Sequence, residues 1–134
     1  MMKKRLRKKY HVGEFKQFGF TVLIMLKPEK QIPDELGLVY DPIIDIVEGE
    51  KLSMAGGGGK NYITIAVTDQ GRKNTITDEK ADMLLKKIKE IDFVSEAIRF
   101  PLMDAWNSSD AEYQREDVLI KNEMNRLGAK EMHQ

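Results

Sequence analysis

The sequence predicts an α+β domain with the element order β-α-β-β-α-β, the pattern of a ferredoxin-like sheet with its helices on one face. Three observations predict this fold class: a β-branched, apolar run at Phe18–Leu26, a strictly alternating run at Tyr62–Thr68, and a capped helical repeat after Thr77. The chain of 134 residues has the size of one domain. We divide it into a basic arm packed on or next to the domain (residues 1–17), the α+β domain (18–107) and a C-terminal helical extension (108–134).

The first predicted strand, Phe18–Leu26, is followed by Pro28 and reads FGFTVLIML. Its apolar residues occupy both faces, with Phe20, Val22, Ile24 and Leu26 on one side and Leu23 and Met25 on the other. A strand that is apolar on both faces is typically central and covered on both sides. We therefore expect the segment after Trp106 to lie over the second face of the sheet.

A first helix is predicted from about Pro42 to Glu48. Asp41 has the form of an N-cap that precedes a proline at the first helical position, and Gly49 is a suitable stop.

A hairpin is predicted next, from a short strand at Leu52–Met54, the glycines Gly56–Gly59 and the strand Tyr62–Thr68. We interpret the glycines as a flexible hairpin loop, and a backbone nest that lets RNA or protein approach closely is the alternative. A Walker A phosphate loop is excluded because Met54 stands where its first glycine should be and Asn61 follows the lysine.

The second half of the domain has a helix capped by Thr77, with Asp78 and Glu79 in its first turn. Its apolar repeat consists of Ala81, Leu84, Leu85, Ile88 and Ile91. A final strand is predicted at Val94–Leu102, and Pro101 favours an edge position for it. Its inward side is predicted to carry Val94, Ile98, Phe100 and Leu102.

A linker at Asn107-Ser108-Ser109 precedes a polar helix that is predicted from about Asp110 to Leu127. Its sparse apolar side consists of Tyr113, Ile120, Met124 and Leu127. The edge strand and this helix would also suit a homodimer, and the sequence leaves the oligomeric state open.

Residue types exclude several classes of function. The chain has no cysteine, which excludes disulfides, cysteine-ligated zinc and iron–sulfur clusters. Its two histidines are His11 and His133. His11 and Glu14 have i, i+3 spacing, but no third metal ligand is evident, and no nucleophile motif is present. We expect no enzymatic activity and no cofactor. Lys27-Pro28-Glu29-Lys30 stands where a signal-peptide cleavage site would follow the apolar run, so we expect a cytoplasmic protein that does not bind membranes.

Positive charge is concentrated at the amino terminus. The formal net charge is zero, yet the first ten residues hold six basic side chains and no acid, which leaves the remaining 124 residues with a net charge of −6. Such an arm can neutralise phosphates and stack bases. Composition alone fits this role and a solvated terminus equally well. The candidate RNA-binding residues are Lys3, Lys4, Arg5, Arg7, Lys8, Lys9, Tyr10 and His11.

The stretch Arg5–Phe20, RLRKKYHVGEFKQFGF, resembles the opening signature of the YggL family of proteins that bind the large (50S) bacterial ribosomal subunit. Further similarity lies at Leu52, Gly56–Gly58, Thr77-Asp78-Glu79 and Leu102–Trp106, so that the resemblance covers roughly residues 5–107. It implies an α+β, non-catalytic protein that associates with the large subunit. Its partners there would be ribosomal RNA and, in addition, ribosomal proteins.

The resemblance also suggests how the arm would be held, since Glu14 and Phe15, with His11, would fix it against the body. The arm residues that would contact RNA phosphates are Arg5, Arg7, Lys8 and Lys9. A protein–protein interaction module that acts through the acidic body and the C-terminal helix, without direct RNA binding, is the alternative function. An enzyme or a small-ligand regulator is the third hypothesis and would need a concave pocket with convergent polar groups.

Overall fold

Five strands and three helices make up the part of the chain that this computed structural model describes, residues 18–28, 39–70, 75–104 and 108–130. In chain order they are β1 (Phe18–Leu26), α1 (Tyr40–Gly49), β2 (Leu52–Gly58), β3 (Tyr62–Asp69), α2 (Asp78–Lys89), β4 (Val94–Arg99), β5 (Met103–Asp104) and α3 (Asp110–Leu127). The predicted α+β class is confirmed. The two strands and the helix with the strongest sequence patterns, β1, β3 and α2, lie within one or two residues of their predicted ranges.

The strands form one antiparallel sheet in the order β2-β3-β1-β4, and the short β5 pairs with the start of β1. β1 lies inside the sheet, with Val22 opposite Ile65 on one side and opposite Arg99 on the other. Its side chains from Val22 to Leu26 are buried on both faces, as the two-sided apolar pattern predicts.

Two apolar clusters cover the two faces of the sheet. The main core lies between the sheet and the helices α1 and α2, and its fully buried members include Val22, Ile24, Ile43, Val47, Ile63, Ile65, Leu84 and Ile88. The second core lies under α3 and consists of Leu23, Met25, Tyr62 and Phe100, packed against Ile98, Ile120, Met124, Leu127 and Ala129. α3 therefore lies over the second face, and its bounds match the range that the sequence predicts.

The beginning and end of α1 differ from the prediction. The helix begins at Tyr40 after Val39, which makes no side-chain cap, so the predicted N-cap role of Asp41 is wrong and this residue lies in the first turn. Val39 is buried in the main core, and this packing stabilises a helix start two residues earlier than predicted, where no side chain caps the helix. Gly49 is the last helical residue, and the left-handed turn falls on Lys51, at φ 59°.

Charged side chains fasten the two helices of the main core. The Lys87 ammonium lies 2.5 Å from Glu50 Oε1, and this hydrogen bond lowers the pKa of the Glu50 carboxyl. α2 begins as predicted, since Thr77 Oγ1 accepts a hydrogen bond from the Lys80 amide at 3.2 Å.

The Arg99 guanidinium of β4 binds α2 at Asp82 and Asp78, at 2.7 and 2.9 Å. The hydrogen bonds to these carboxylates, that to Asp82 above all, raise the pKa of Arg99. Because both carboxylates are largely exposed, we regard this contact as a means of orientation more than a large source of stability.

The last strand breaks the alternation that the sequence suggests. Leu26 pairs with Val94 but Met25 pairs with Glu96, so Ser95 is an extra residue in a β-bulge and reverses the faces of the residues beyond it. Val94 and Leu102 pack on the main core, whereas Ile98 and Phe100 pack under α3. The prediction that these four residues share one side is therefore wrong. β4 does lie at an edge of the sheet, and Pro101 falls between β4 and β5.

The glycines Gly56–Gly58 are part of β2 and not a flexible loop. They pair with Ile65, Thr64 and Ile63, so the predicted strand Leu52–Met54 extends to Gly58 and the turn contains only Gly59, Lys60 and Asn61. A Cβ at Gly56 or Gly58 would collide with the backbone of β3, while one at Gly57 would meet nothing within 4 Å. Gly56 and Gly58 are thus required by the close approach of two strands.

We expect Gly56→Ala to destabilise the protein by about 1–3 kcal/mol, because the added methyl group must displace the backbone of β3. Gly57→Ala is the matched control and should change stability by no more than about 1 kcal/mol, because its methyl group would project into open space. Urea unfolding of the two variants measures the difference. Equal stabilities would show that the glycines serve flexibility instead.

Candidate functional site

The residues that the sequence assigns to the site lie outside the part of the chain that the structure describes. They are Lys3, Lys4, Arg5, Arg7, Lys8, Lys9, Tyr10 and His11, with Glu14 and Phe15 as arm-positioning residues. Their roles stay predictions. The structure does show where the arm joins the domain and which charges surround that point.

The junction of the arm is held at a corner of the sheet. Phe18 and Gly19, the first residues of β1, pair with Asp104 and Met103 of β5, and Gly19 also pairs with Thr68 of β3. A Cβ at Gly19 would lie 2.9 Å from the carbonyl oxygen of Val67, so the chain enters against β3 at close range. The arm therefore starts from a point that two neighbouring strands fix.

Carboxylates are concentrated near this junction. α3 begins beside it with Asp110 and Glu112 in its first turn, and Glu116 accepts a 2.6 Å hydrogen bond from the Thr21 hydroxyl of β1. Asp69, at the end of β3, is buried and accepts hydrogen bonds from the amide and hydroxyl of Thr75 at 2.7 and 2.5 Å. Cations lie among these carboxylates, since Arg115 lines a cavity with Glu112 and Glu116, and the Lys80 ammonium donates to the Thr75 hydroxyl at 2.9 Å. The described residues at this end of the sheet are therefore of mixed charge.

The opposite end of the sheet is closed by the segment that follows α3. The Asn61 side chain donates to the carbonyl oxygen of Gly128 at 3.1 Å and accepts from the Lys130 amide at 2.7 Å. The Lys60 amide donates to the carbonyl oxygen of Lys130 at 2.7 Å. A Cβ at Gly59 would collide with the Tyr62 ring and the Lys130 carbonyl oxygen, so only glycine fits beneath this clamp.

Three exposed lysines lie on the backbone segments at this clamped end, and we call them the hairpin lysines: Lys27, Lys60 and Lys130. The Leu26 amide, just before Lys27, donates to the Asn61 carbonyl oxygen at 2.9 Å, which places the end of β1 beside the same turn. The sequence does not reveal this group, because its members lie 33 and 70 residues apart along the chain. The signal available was Asn61, a turn residue with two hydrogen-bonding groups to satisfy.

The faces of the sheet offer no platform for stacked bases. Tyr62, the aromatic side chain on the outward face of β3, is 6% exposed because α3 covers it. Among the residues described, no three histidine, aspartate or glutamate side chains are grouped as metal ligands would be. None of the helices in the described ranges is both long and apolar enough to cross a bilayer.

Comparison with known proteins supplies the family. The family model described as YggL 50S ribosome-binding protein matches residues 4–107. The chain belongs to this family. The match includes the basic stretch from Lys4 to Lys9 and ends before α3, so the helix over the second face lies outside the family model.

The chain also resembles a solved structure, the solution structure of the C-terminal domain of the MgtC protein from Mycobacterium tuberculosis. The two are 14% identical, the TM-score is 0.45, and the alignment covers 72% of this chain and 97% of that one. No curated protein matches the chain.

We expect Asn61→Ala to lower the free energy of unfolding by about 1–2 kcal/mol, because it removes both side-chain hydrogen bonds of the clamp. Hydrogen exchange at the Lys60 and Lys130 amides should become faster in the same variant. Lys60→Ala is the control, since Lys60 holds the clamp through its backbone amide, and it should stay within about 0.5 kcal/mol of the parent. Unchanged exchange at Lys130 in Asn61→Ala would contradict the clamp.

Proposed function

We propose that this protein binds the large (50S) ribosomal subunit as a non-catalytic, cytoplasmic protein, and that its N-terminal arm contacts ribosomal RNA phosphates. The family match over residues 4–107 carries this proposal, because the matched protein is described as 50S ribosome-binding. The matched range contains the arm's basic residues, which are the residues with the right charge for a polyanion.

The surroundings of the junction support a division of labour between arm and body. The body presents Asp110, Glu112 and Glu116, with Arg115 among them, near the point where the arm begins, so the described residues there carry no excess of positive charge. Arg5, Arg7, Lys8 and Lys9 would extend past these carboxylates to reach RNA, with Glu14 and Phe15 holding the arm in position. The hairpin lysines, at the far end of β1, would supply a second, weaker contact.

The fold that would carry this function is the ferredoxin-like arrangement. Its support is the order β2-β3-β1-β4 together with α1 and α2 on the main-core face. In this view the arm and α3 are additions at the two ends of one βαββαβ unit, and α3 covers the face that the fold usually leaves open.

A protein–protein module acting through the body and α3 is the second candidate. The observation in its favour is the pair Val118 and Leu119, whose side chains are 56% and 47% exposed on the outer side of α3. Contact with ribosomal proteins, or a homodimer, would use this side. Binding that survives nuclease and moderate salt would favour this candidate over the arm.

The decisive variant neutralises the arm by changing Arg5, Arg7, Lys8 and Lys9 to Gln. We expect it to stop co-sedimenting with large subunits in sucrose gradients at physiological salt, because the affinity falls with each lost phosphate contact. Each lost contact should also flatten the slope of log affinity against log salt by about one. Deletion of residues 1–10 should act in the same way. Urea unfolding should be nearly unchanged in both variants.

A control changes two exposed lysines elsewhere, Lys86 and Lys121, to Gln. It should sediment as the parent does. The hairpin lysines changed to Gln should weaken binding less than the arm variant. If the arm variant still sediments with large subunits and its salt slope is unchanged, the arm is not the RNA contact.

A further inference from the structure

The outer edge of β2 is unpaired in the part of the chain that the structure describes. β2 is the end strand of the sheet, and within the described ranges only β3 pairs with it. The Gly59 amide donates a hydrogen bond to the carbonyl oxygen of Tyr62 at 3.1 Å. Because hydrogen-bonded and non-hydrogen-bonded pairs alternate along an antiparallel ladder, Ser53, Ala55, Gly57 and Gly59 bond to β3. Met54, Gly56 and Gly58 therefore direct their backbone N–H and C=O groups outward, away from the sheet.

The side chains that usually protect an exposed strand are missing from β2. Its sequence, LSMAGGG, has no charged residue and no proline. The opposite edge strand, β4, has a bulge at Ser95, the exposed carboxylate of Glu96, and Pro101 just beyond its end. The difference indicates that one edge is blocked and that the other can accept a further strand.

A groove of about 610 Å³ lies directly beside the open edge, between β2 and α1. Tyr40, Ile44 and Met54 give it apolar walls, and Glu48, Ser53 and Gln70 contribute polar groups. Gly56 also lines the groove and has no side chain to fill it, so the side chains of an incoming strand can enter there.

The negative charge beside the groove indicates which charge a partner segment should carry. α1 exposes Asp41, Asp45 and Glu48 at spacings of four and three residues, which places them on one stripe, and no basic residue lies in that helix. Glu48 itself lines the groove. A cationic segment is therefore favoured over a neutral or acidic one.

We propose that the β2 edge and the α1 groove bind an extended lysine- or arginine-containing segment of a partner protein, which adds to the sheet as an antiparallel strand. This surface contains no residue of the arm, and the binding of such a segment needs no RNA, so the inference goes beyond the proposed function. Main-chain hydrogen bonds to Met54, Gly56 and Gly58 supply affinity, and the acidic stripe of α1 supplies selectivity.

The geometry determines the probe. In an antiparallel pair, residues bonded to Met54 and Gly56 have their side chains on the face of α1, so these positions should be lysine or valine. The probe is the fluorescein-labelled peptide KTVTKTVTK, titrated with the full chain and followed by fluorescence polarisation. N-methylation of the central lysine and the two valines of the peptide should weaken binding at least about tenfold, because three edge hydrogen bonds are lost. N-methylation of its threonines should have little effect.

The protein variants test the charge. Glu48→Lys should weaken binding of the peptide about fivefold, and Asp117→Lys, the same charge change on an exposed site of α3, should not. Circular dichroism checks that both variants stay folded. Absence of saturable binding at millimolar peptide, equal effects of the two methylation patterns, or equal effects of the two variants would each overturn the proposal.

A chain lacking residues 1–10 tests whether the basic arm, and not a partner segment, occupies the groove. If this shortened chain binds the peptide and the full chain does not, the basic arm itself fills the groove, and the proposal of a partner segment is wrong. Equal affinity in the two chains supports the partner. Sedimentation with ribosomal subunits is measured separately, so failure of the arm proposal and failure of this one give different results.

Discussion

The burial of β1 on both faces is the constraint on which the rest of the structure depends. Val22 and Ile24 pack toward α1 and α2, while Leu23 and Met25 pack toward α3. A central strand with apolar residues on both sides would leave a hydrophobic face in water if only one layer of helices were present. The helix after the family-matched region supplies the missing layer, although its own sequence is mostly polar.

Much of this architecture could be predicted from the sequence because the relevant signals are local. The uninterrupted apolar run of β1, the alternation of β3 and the capped repeat of α2 each specify an element and its buried side. The helix α3 could be placed because β1 needed a cover. Here a local pattern in one strand predicts the position of an element more than eighty residues away.

The errors arose where contacts between distant residues override local patterns. The bulge at Ser95 depends on pairing with β1, and nothing in the sequence around it marks the change of face. Gly56 and Gly58 suggested a loop because glycine weakens isolated strands, yet proximity to the backbone of β3 requires them. The role of the arm stays a prediction, and its basic charge could be read from the sequence. The hairpin lysines and the β2 edge could not, because both depend on how separate segments meet.

The length of β1 sets the distance between two regions of the molecule, the arm junction and the hairpin lysines. Nine residues of strand separate the arm junction from the hairpin lysines, about 26 Å at the usual rise per residue. That separation is roughly three Debye lengths at physiological ionic strength, so the two regions are electrostatically independent of each other. Under the proposed function the domain would act as a rigid spacer of a bivalent ligand, whose two contacts reinforce one another only on a surface that presents phosphates at a matching interval.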